Sequence, residues 1–294
     1  MKTGNHHITK LPKCLIVIGL FELLYLVMLI QNSILMINSH YTPDYKMVEL
    51  KPYTEKQLLT SKDYQILFEQ TGLAPDAVDT IMEWENSYET LKQYQSNFFR
   101  KTYVATSNNP FMTRSEYICS KSGSRTRGFI TAPLEDGYIL YTPSSSTLGW
   151  RNGHIGIVVD ADSSLVFEAL APGMLSDVGT AEHWTSYPAF IMLKLNSTIT
   201  KNNEHLIPDI ISTINNKLMG IPYNLFAGVL SSKNPPVCKS SQCAHIIWYA
   251  FSLYGLDIDS NKGVIVTPEN IANCNLFEVV QIYGVNPSEY SAVK

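Results

Sequence analysis

The sequence predicts an α+β protein in which an antiparallel sheet packs against helices, preceded by an N-terminal transmembrane helix and a helical pair. Three observations lead there: a long apolar run from Cys14, two stretches of helical period between residues 60 and 98, and a second half in which short β-rich runs are separated by turn residues. Strands joined by turns make hairpins, whereas a parallel sheet needs a long crossover in each connection. At 294 residues of ordinary globular composition, the chain holds one large domain or a domain with an appendage. Its net charge of −4, without any long basic run, argues against a nucleic-acid groove, which needs clustered Lys and Arg.

Cys14 to Ile37 is mostly Leu, Ile, Val, Met and Phe, long enough to cross a bilayer core of about 20 helical residues. Glu22 interrupts it at a cost of a few kcal/mol, which the apolar side chains offset. Lys2, Lys10 and Lys13 precede the run with no acidic residue before Glu22, so residues 1–13 are expected in the cytoplasm and the rest outside. A cleaved signal peptide is the competing reading. The first alanine is Ala74, however, and no A-x-A-like site follows the run, which favours an uncleaved anchor over residues 14–37.

Residues 38–60, with Pro43 and Pro52, read as a linker. In the helical N-terminal region, residues 61–132, Thr60 or Ser61 caps a helix that Gly72 ends, and Pro75 opens a longer one carrying Val78, Ile81, Met82, Tyr88, Leu91 and Phe98. Thr102 to Gly128 is polar and aperiodic, and is expected as a long loop. It holds Arg114, Lys121, Arg125 and Arg127, a modest basic cluster on a solvated segment.

From Pro133 the pattern changes to strands, over a second domain expected to span residues 133–294. Strands are expected at Tyr138 to Tyr141, His154 to Val159, Leu165 to Leu170, Pro188 to Leu195, Gly263 to Thr267 and Glu278 to Tyr283, with a helix from His205 to Met219. The pentad Asp160-Ala161-Asp162-Ser163-Ser164 makes a turn. A hairpin centred on Ala161 sets His154 opposite Glu168, and a register shifted by one residue on each strand leaves them diagonal on the same face.

Ser240-Ser241-Gln242-Cys243-Ala244-His245-Ile246-Ile247-Trp248-Tyr249-Ala250-Phe251 is a polar loop running into an apolar helix, with Ser240 or Ser241 as its cap and Gly255 as its stop. Cys243 falls on the first turn, where unpaired N–H groups and the positive helix end favour an anion. The plainer reading is a buried core cysteine. His154 on a strand supplies the base that a nucleophile needs, and Glu168 the group that orients it. The N–H of Cys243 and the Gln242 side chain are candidate oxyanion donors, and Tyr223 and Phe226, in the loop Gly220 to Pro236, candidate substrate walls. His245, two residues after Cys243, faces elsewhere on the helix, and His183 and His205 stand isolated. No clustered ligand spacing appears, so neither a metal nor a cofactor is expected. Of the five cysteines, Cys119, Cys238 and Cys274 leave room for one disulfide at most.

Gly153-His154-Ile155-Gly156-Ile157-Val158, Val166-Phe167-Glu168-Ala169 and Gln242-Cys243-Ala244-His245 together resemble the pattern of permuted papain-like hydrolases of the NlpC superfamily. The YiiX-like branch is most similar, in which the histidine strand precedes the cysteine helix; lecithin:retinol acyltransferase is a more distant relative. Val266-Thr267-Pro268-Glu269-Asn270 resembles that family's threonine-proline segment. Asp136-Gly137 stands where members often have Gly-Asp, and Gln242 where they often have an aromatic residue. The resemblance covers roughly residues 133–283. It implies a permuted papain-like fold and a cysteine hydrolase of Cys243, His154 and Glu168, without cofactor. Expected substrates are envelope peptide or peptidoglycan amides, then lipid or acyl esters, met at the outer face of the cell membrane. A catalytically silent envelope-binding domain is the alternative of a different class.

Overall fold

The computed structural model describes residues 13–37, 39–109, 113–147 and 150–290. Helix α1, Lys13–Ile37, contains in Cys14–Gln31 a stretch long and apolar enough to cross a membrane or to act as a signal sequence, and that stretch is not buried against the rest of the chain. Residues 1–12, including Lys2, Lys10 and His6-His7, lie outside the described residues.

Much of the expected linker is docked instead. Tyr41 N–H donates to Gly284 O at 2.8 Å, Leu50 is buried ahead of the short α2, Lys51–Thr54, and Gln95 Nε2 donates to Val48 O at 2.8 Å. Helix α3, Ser61–Thr71, begins at a capping box in which the Thr60 side chain and Asp63 satisfy each other's backbone N–H, and ends at Gly72 with φ 73°. The expected second helix is two, α4, Pro75–Met82, and α5, Ser87–Phe98. Met82 and Tyr88 are six residues apart, which fits no helical repeat, and the chain turns between them.

Thr102 to Gly128 is not a loop throughout. It forms β1, Tyr103–Asn109, and β2, Thr113–Cys119, which pair antiparallel, and β2 continues to β4, Ser145–Thr147. This sheet crosses the boundary expected at residue 133. The main sheet has the order β7-β6-β5-β3-β8-β9, every neighbour antiparallel. Its strands are β3, Ile139–Thr142, β5, His154–Asp160, β6, Leu165–Glu168, β7, Asp177–Thr180, β8, Phe190–Leu195, and β9, Phe277–Tyr283. The α3–α4 junction covers the β9 edge: Ala74 N–H donates to Val280 O and Ile282 N–H to Gly72 O. An edge so covered offers no free ladder to another chain.

Four more helices follow: α6, Ser197–Lys201; α7, Leu206–Thr213, passing into a π-helical turn over Ile214–Leu218; α8, Cys243–Ser252; and α9, Pro268–Ala272. Gly263 to Thr267 is not a strand. Side chains take its carbonyls, Lys233 Nζ on Gly263 O at 2.7 Å and Gln242 Nε2 on Val266 O at 2.6 Å. One hydrophobic core joins α3 to α5, the main sheet and α8, with Phe68, Phe98, Phe167, Phe190 and Phe251 fully buried.

Candidate active site

The β5–β6 hairpin places the first two residues. Ile157 pairs with Phe167 and Val158 with Val166, so Glu168 faces Gly156, and His154 lies diagonal to it on the same face. This is the shifted register of the two expected. Ser164, in the left-handed region at φ 54°, closes the turn, and a bulge between Val158 and Asp160 takes up the extra residue. His154 Nε2 then lies 2.6 Å from Glu168 Oε2, with both residues 4% exposed. An ionised carboxylate only accepts, so Nε2–H donates, and Nδ1 is the ring nitrogen that Glu168 does not take.

Cys243 opens α8 close enough to His154 to shift its protonation. Gln242, not Ser240 or Ser241, is the cap: its Oε1 accepts from Ala244 N–H at 2.8 Å and from the Cys243 thiol at 3.5 Å. Its amide nitrogen faces Val266 O. Gln242 therefore fixes the thiol and the helix end, and its amide is not aimed as an oxyanion donor. Ser241 is occupied elsewhere, its Oγ 2.6 Å from His245 Nδ1, while His245 Nε2 meets Lys233 O at 2.7 Å. All five cysteines are free thiols.

Burial alone would drive protons off His154, but the contacts with Cys243 and Glu168 overcome it and raise its pKa above the usual imidazole range. Burial would likewise push Glu168 up, and the facing His154 and His183 instead hold it below the usual carboxylate range. The two shifts share one cause. A buried carboxylate and a buried imidazole each stabilise the charged form of the other.

His183 is the residue that spacing did not reveal. It sits on a 3₁₀ turn, Ala181–Ser186, with Nε2 3.3 Å from Glu168 Oε1 and Nδ1 2.9 Å from Thr180 O. The contact with Glu168 is electrostatic, without an aligned hydrogen bond. From the same turn Trp184 stacks on the His154 ring, centroids 5.2 Å apart. Gly156 makes the room, since a Cβ there would lie 2.6 Å from Val166 Cγ1 and 3.0 Å from Trp184 Cζ2. The turn is separated from both strands in sequence, so no spacing linked His183 to Glu168.

A cleft of about 300 Å³ opens on this group, lined by His154, His183, Arg125, Tyr187, Leu170 and Met174 among others. Clefts of 710 and 490 Å³ lie elsewhere and contain no histidine. Tyr223 comes near Cys243: its phenol pKa is raised first by burial and then by Cys243. Phe226 stands exposed on the same loop. Among the described residues, no group of three or more His, Cys, Asp or Glu side chains is arranged to hold a metal ion. The site can activate a thiol against a carbonyl, with a proton carrier beside it and a carboxylate behind. No family model matches the chain, and comparison with curated proteins and with solved structures finds no match to it.

Proposed function

We propose that this chain is a membrane-anchored thiol hydrolase of permuted papain-like fold that cleaves amide bonds of envelope peptide or peptidoglycan outside the cytoplasmic membrane. The observation that carries the reading is the buried His154 held between Cys243 and Glu168. A structural cysteine needs neither partner. In the proposed reaction His154 removes the thiol proton and Cys243 Sγ attacks the carbonyl carbon. The Cys243 N–H holds the oxyanion, and His154 returns the proton to the leaving amine. Water, deprotonated by His154, then releases the acyl group from sulfur.

Acyl esters of lipids are the second substrate class, favoured by the apolar lip that Leu170 and Met174 give the cleft. The test treats the full-length protein with a thiol-directed acyl probe and then offers it muropeptides and phospholipids. Labelling lost in Cys243→Ser, with turnover of either substrate, supports a hydrolase. No labelling of a folded chain refutes the enzyme reading in favour of a silent binding domain.

A further inference from the structure

We infer that the face of the domain carrying the His154 cleft docks on the lipid bilayer, three neighbouring loops entering the headgroup boundary so that the site works at membrane level. This rests on the reading of α1 as a retained anchor, and two independent sets of observations carry it.

The first is where the anchor joins the domain. Ile37 ends α1 and Ser39 is already buried, a separation of two residues, or about 7 Å at full extension. His40 Nδ1 then lies 2.6 Å from Pro188 O, and Tyr41 N–H donates to Gly284 O. Those partners flank the start of β8 and the end of β9, where Phe190 pairs with Tyr283. The same end of the sheet carries the site. Thr142 Oγ1 donates to Ala189 O, Thr142 pairs with His154, and Glu168 ends β6 beside them. From β9 to β5 is three strand spacings, about 14 Å. A chain leaving the bilayer at Ser39 therefore holds His154 and Cys243 close to the membrane surface.

The second is the chemistry of the loops around the mouth. Residues 170–176 follow Glu168, residues 224–241 lead into Cys243, and residues 262–266 carry the Val266 carbonyl that holds Gln242. They touch in series: Leu175 bridges Pro222, Tyr223 N–H donates to Met174 O, and a side chain at Gly228 would run into the Val264 carbonyl. Their tips are bare hydrocarbon, with Leu230 81%, Val237 65%, Val264 63% and Leu175 57% exposed. Large apolar side chains bared on loops that touch one another mark an interaction surface. The three segments contain no Asp or Glu and carry Lys239 and Lys262, while the third lysine, Lys233, is turned inward onto buried Asp259 at 2.6 Å; Arg125 lines the cleft itself. Apolar tips with Lys239 and Lys262 beside them are the composition of a surface that lies in a bilayer interface containing anionic lipid.

The test uses the full-length chain with Cys14→Ser and Cys243→Ala, reconstituted in vesicles of phosphatidylcholine and phosphatidylglycerol. An environment-sensitive fluorophore is attached at Leu230→Cys or, as control, at Ser163→Cys in the β5–β6 turn at the opposite end of the sheet. The expected result is a blue-shifted probe at 230, quenched several-fold more strongly by lipid-borne nitroxide than the probe at 163. Equal quenching at both sites overturns the docking surface, as does a blue shift at 230 without lipid quenching, which means that protein covers the loops. Carbonate extraction of the same samples reads the anchor separately. A chain that resists extraction with probe 230 in water loses only the docking surface, whereas a chain that washes off loses the anchor and the docking surface together.

Discussion

Replacing Glu168 by Gln isolates what the buried charge does for His154. The substitution keeps the side-chain shape and an oxygen for Nε2–H, but the 2.6 Å bond becomes neutral and His183 loses its electrostatic partner. A hydrogen bond to a charged group contributes about 1.5–3 kcal/mol against about 0.5–1.5 for a neutral one, so the loss of support for the imidazolium between mid-range values is about 1.3 kcal/mol. The upper bound is that of breaking a buried charge pair, about 4 kcal/mol. At 1.4 kcal/mol per decade, turnover falls roughly ten- to a thousandfold. His154→Ala removes the proton carrier and abolishes nearly all activity. The double variant is then hardly worse than His154→Ala, because groups acting as one unit are strongly non-additive. Turnover of the two single variants and the double, with the rate of thiol alkylation at Cys243 as a function of pH, makes the measurement. Full activity of Glu168→Gln, or losses that simply multiply, refutes the reasoning and sends the search for the third group to another neighbour of His154.

Cys243→Ser abolishes turnover while the melting temperature stays near that of the parent, and Cys238→Ser leaves turnover in place; equal loss in both variants identifies the wrong thiol. Gly156→Ala drives a methyl into Val166 and Trp184, costing about 1–3 kcal/mol in chemical denaturation; an unchanged midpoint means that Trp184 yields freely. The Glu168 pair makes stability depend on pH in two directions. Glu168, depressed in the fold, contributes stability present above its unfolded value near 4.3 and lost as pH falls through the folded one, while His154, raised, contributes stability present below about 6.5 and lost as pH rises through its higher folded value. The stability gap between parent and Glu168→Gln is therefore widest between roughly pH 4.3 and 6.5; a gap flat from pH 3 to 9 shows that the pair is not ionised.

The site was legible where a short stretch of chain determines geometry. Strand period and a turn-forming pentad bring His154 and Glu168 to one face whether or not the register slips, and a cysteine after a polar loop falls on a helix start by local rules. What stayed hidden depends on distant partners. Glu116 is buried because Arg151, 35 residues on, grips it with both guanidinium branches, so β2 looks too polar for a strand until its partner is in place. Gln242 became the cap because Ser241 was drawn to His245, and Val266 O fixed the amide. Val264 and Ile265 have strand-like side chains, but their neighbours' carbonyls are claimed by Lys233 and Gln242. His183 reaches Glu168 through a 3₁₀ turn whose path no residue pattern encodes.

The grip on His154 limits how a proton can travel. With Nε2 bound to Glu168 and one face of the ring against Trp184, the imidazole cannot turn over between the two halves of a reaction cycle. A proton taken up at Nδ1 must be given back from Nδ1, on the side from which it came. In the proposed reaction the attacking sulfur and the departing group are then confined to one hemisphere of the ring, and the water that ends the cycle must enter where the first product left. Release of that product thus precedes hydrolysis in the proposed cycle, and an acceptor alcohol or amine entering the same space competes with water on equal terms.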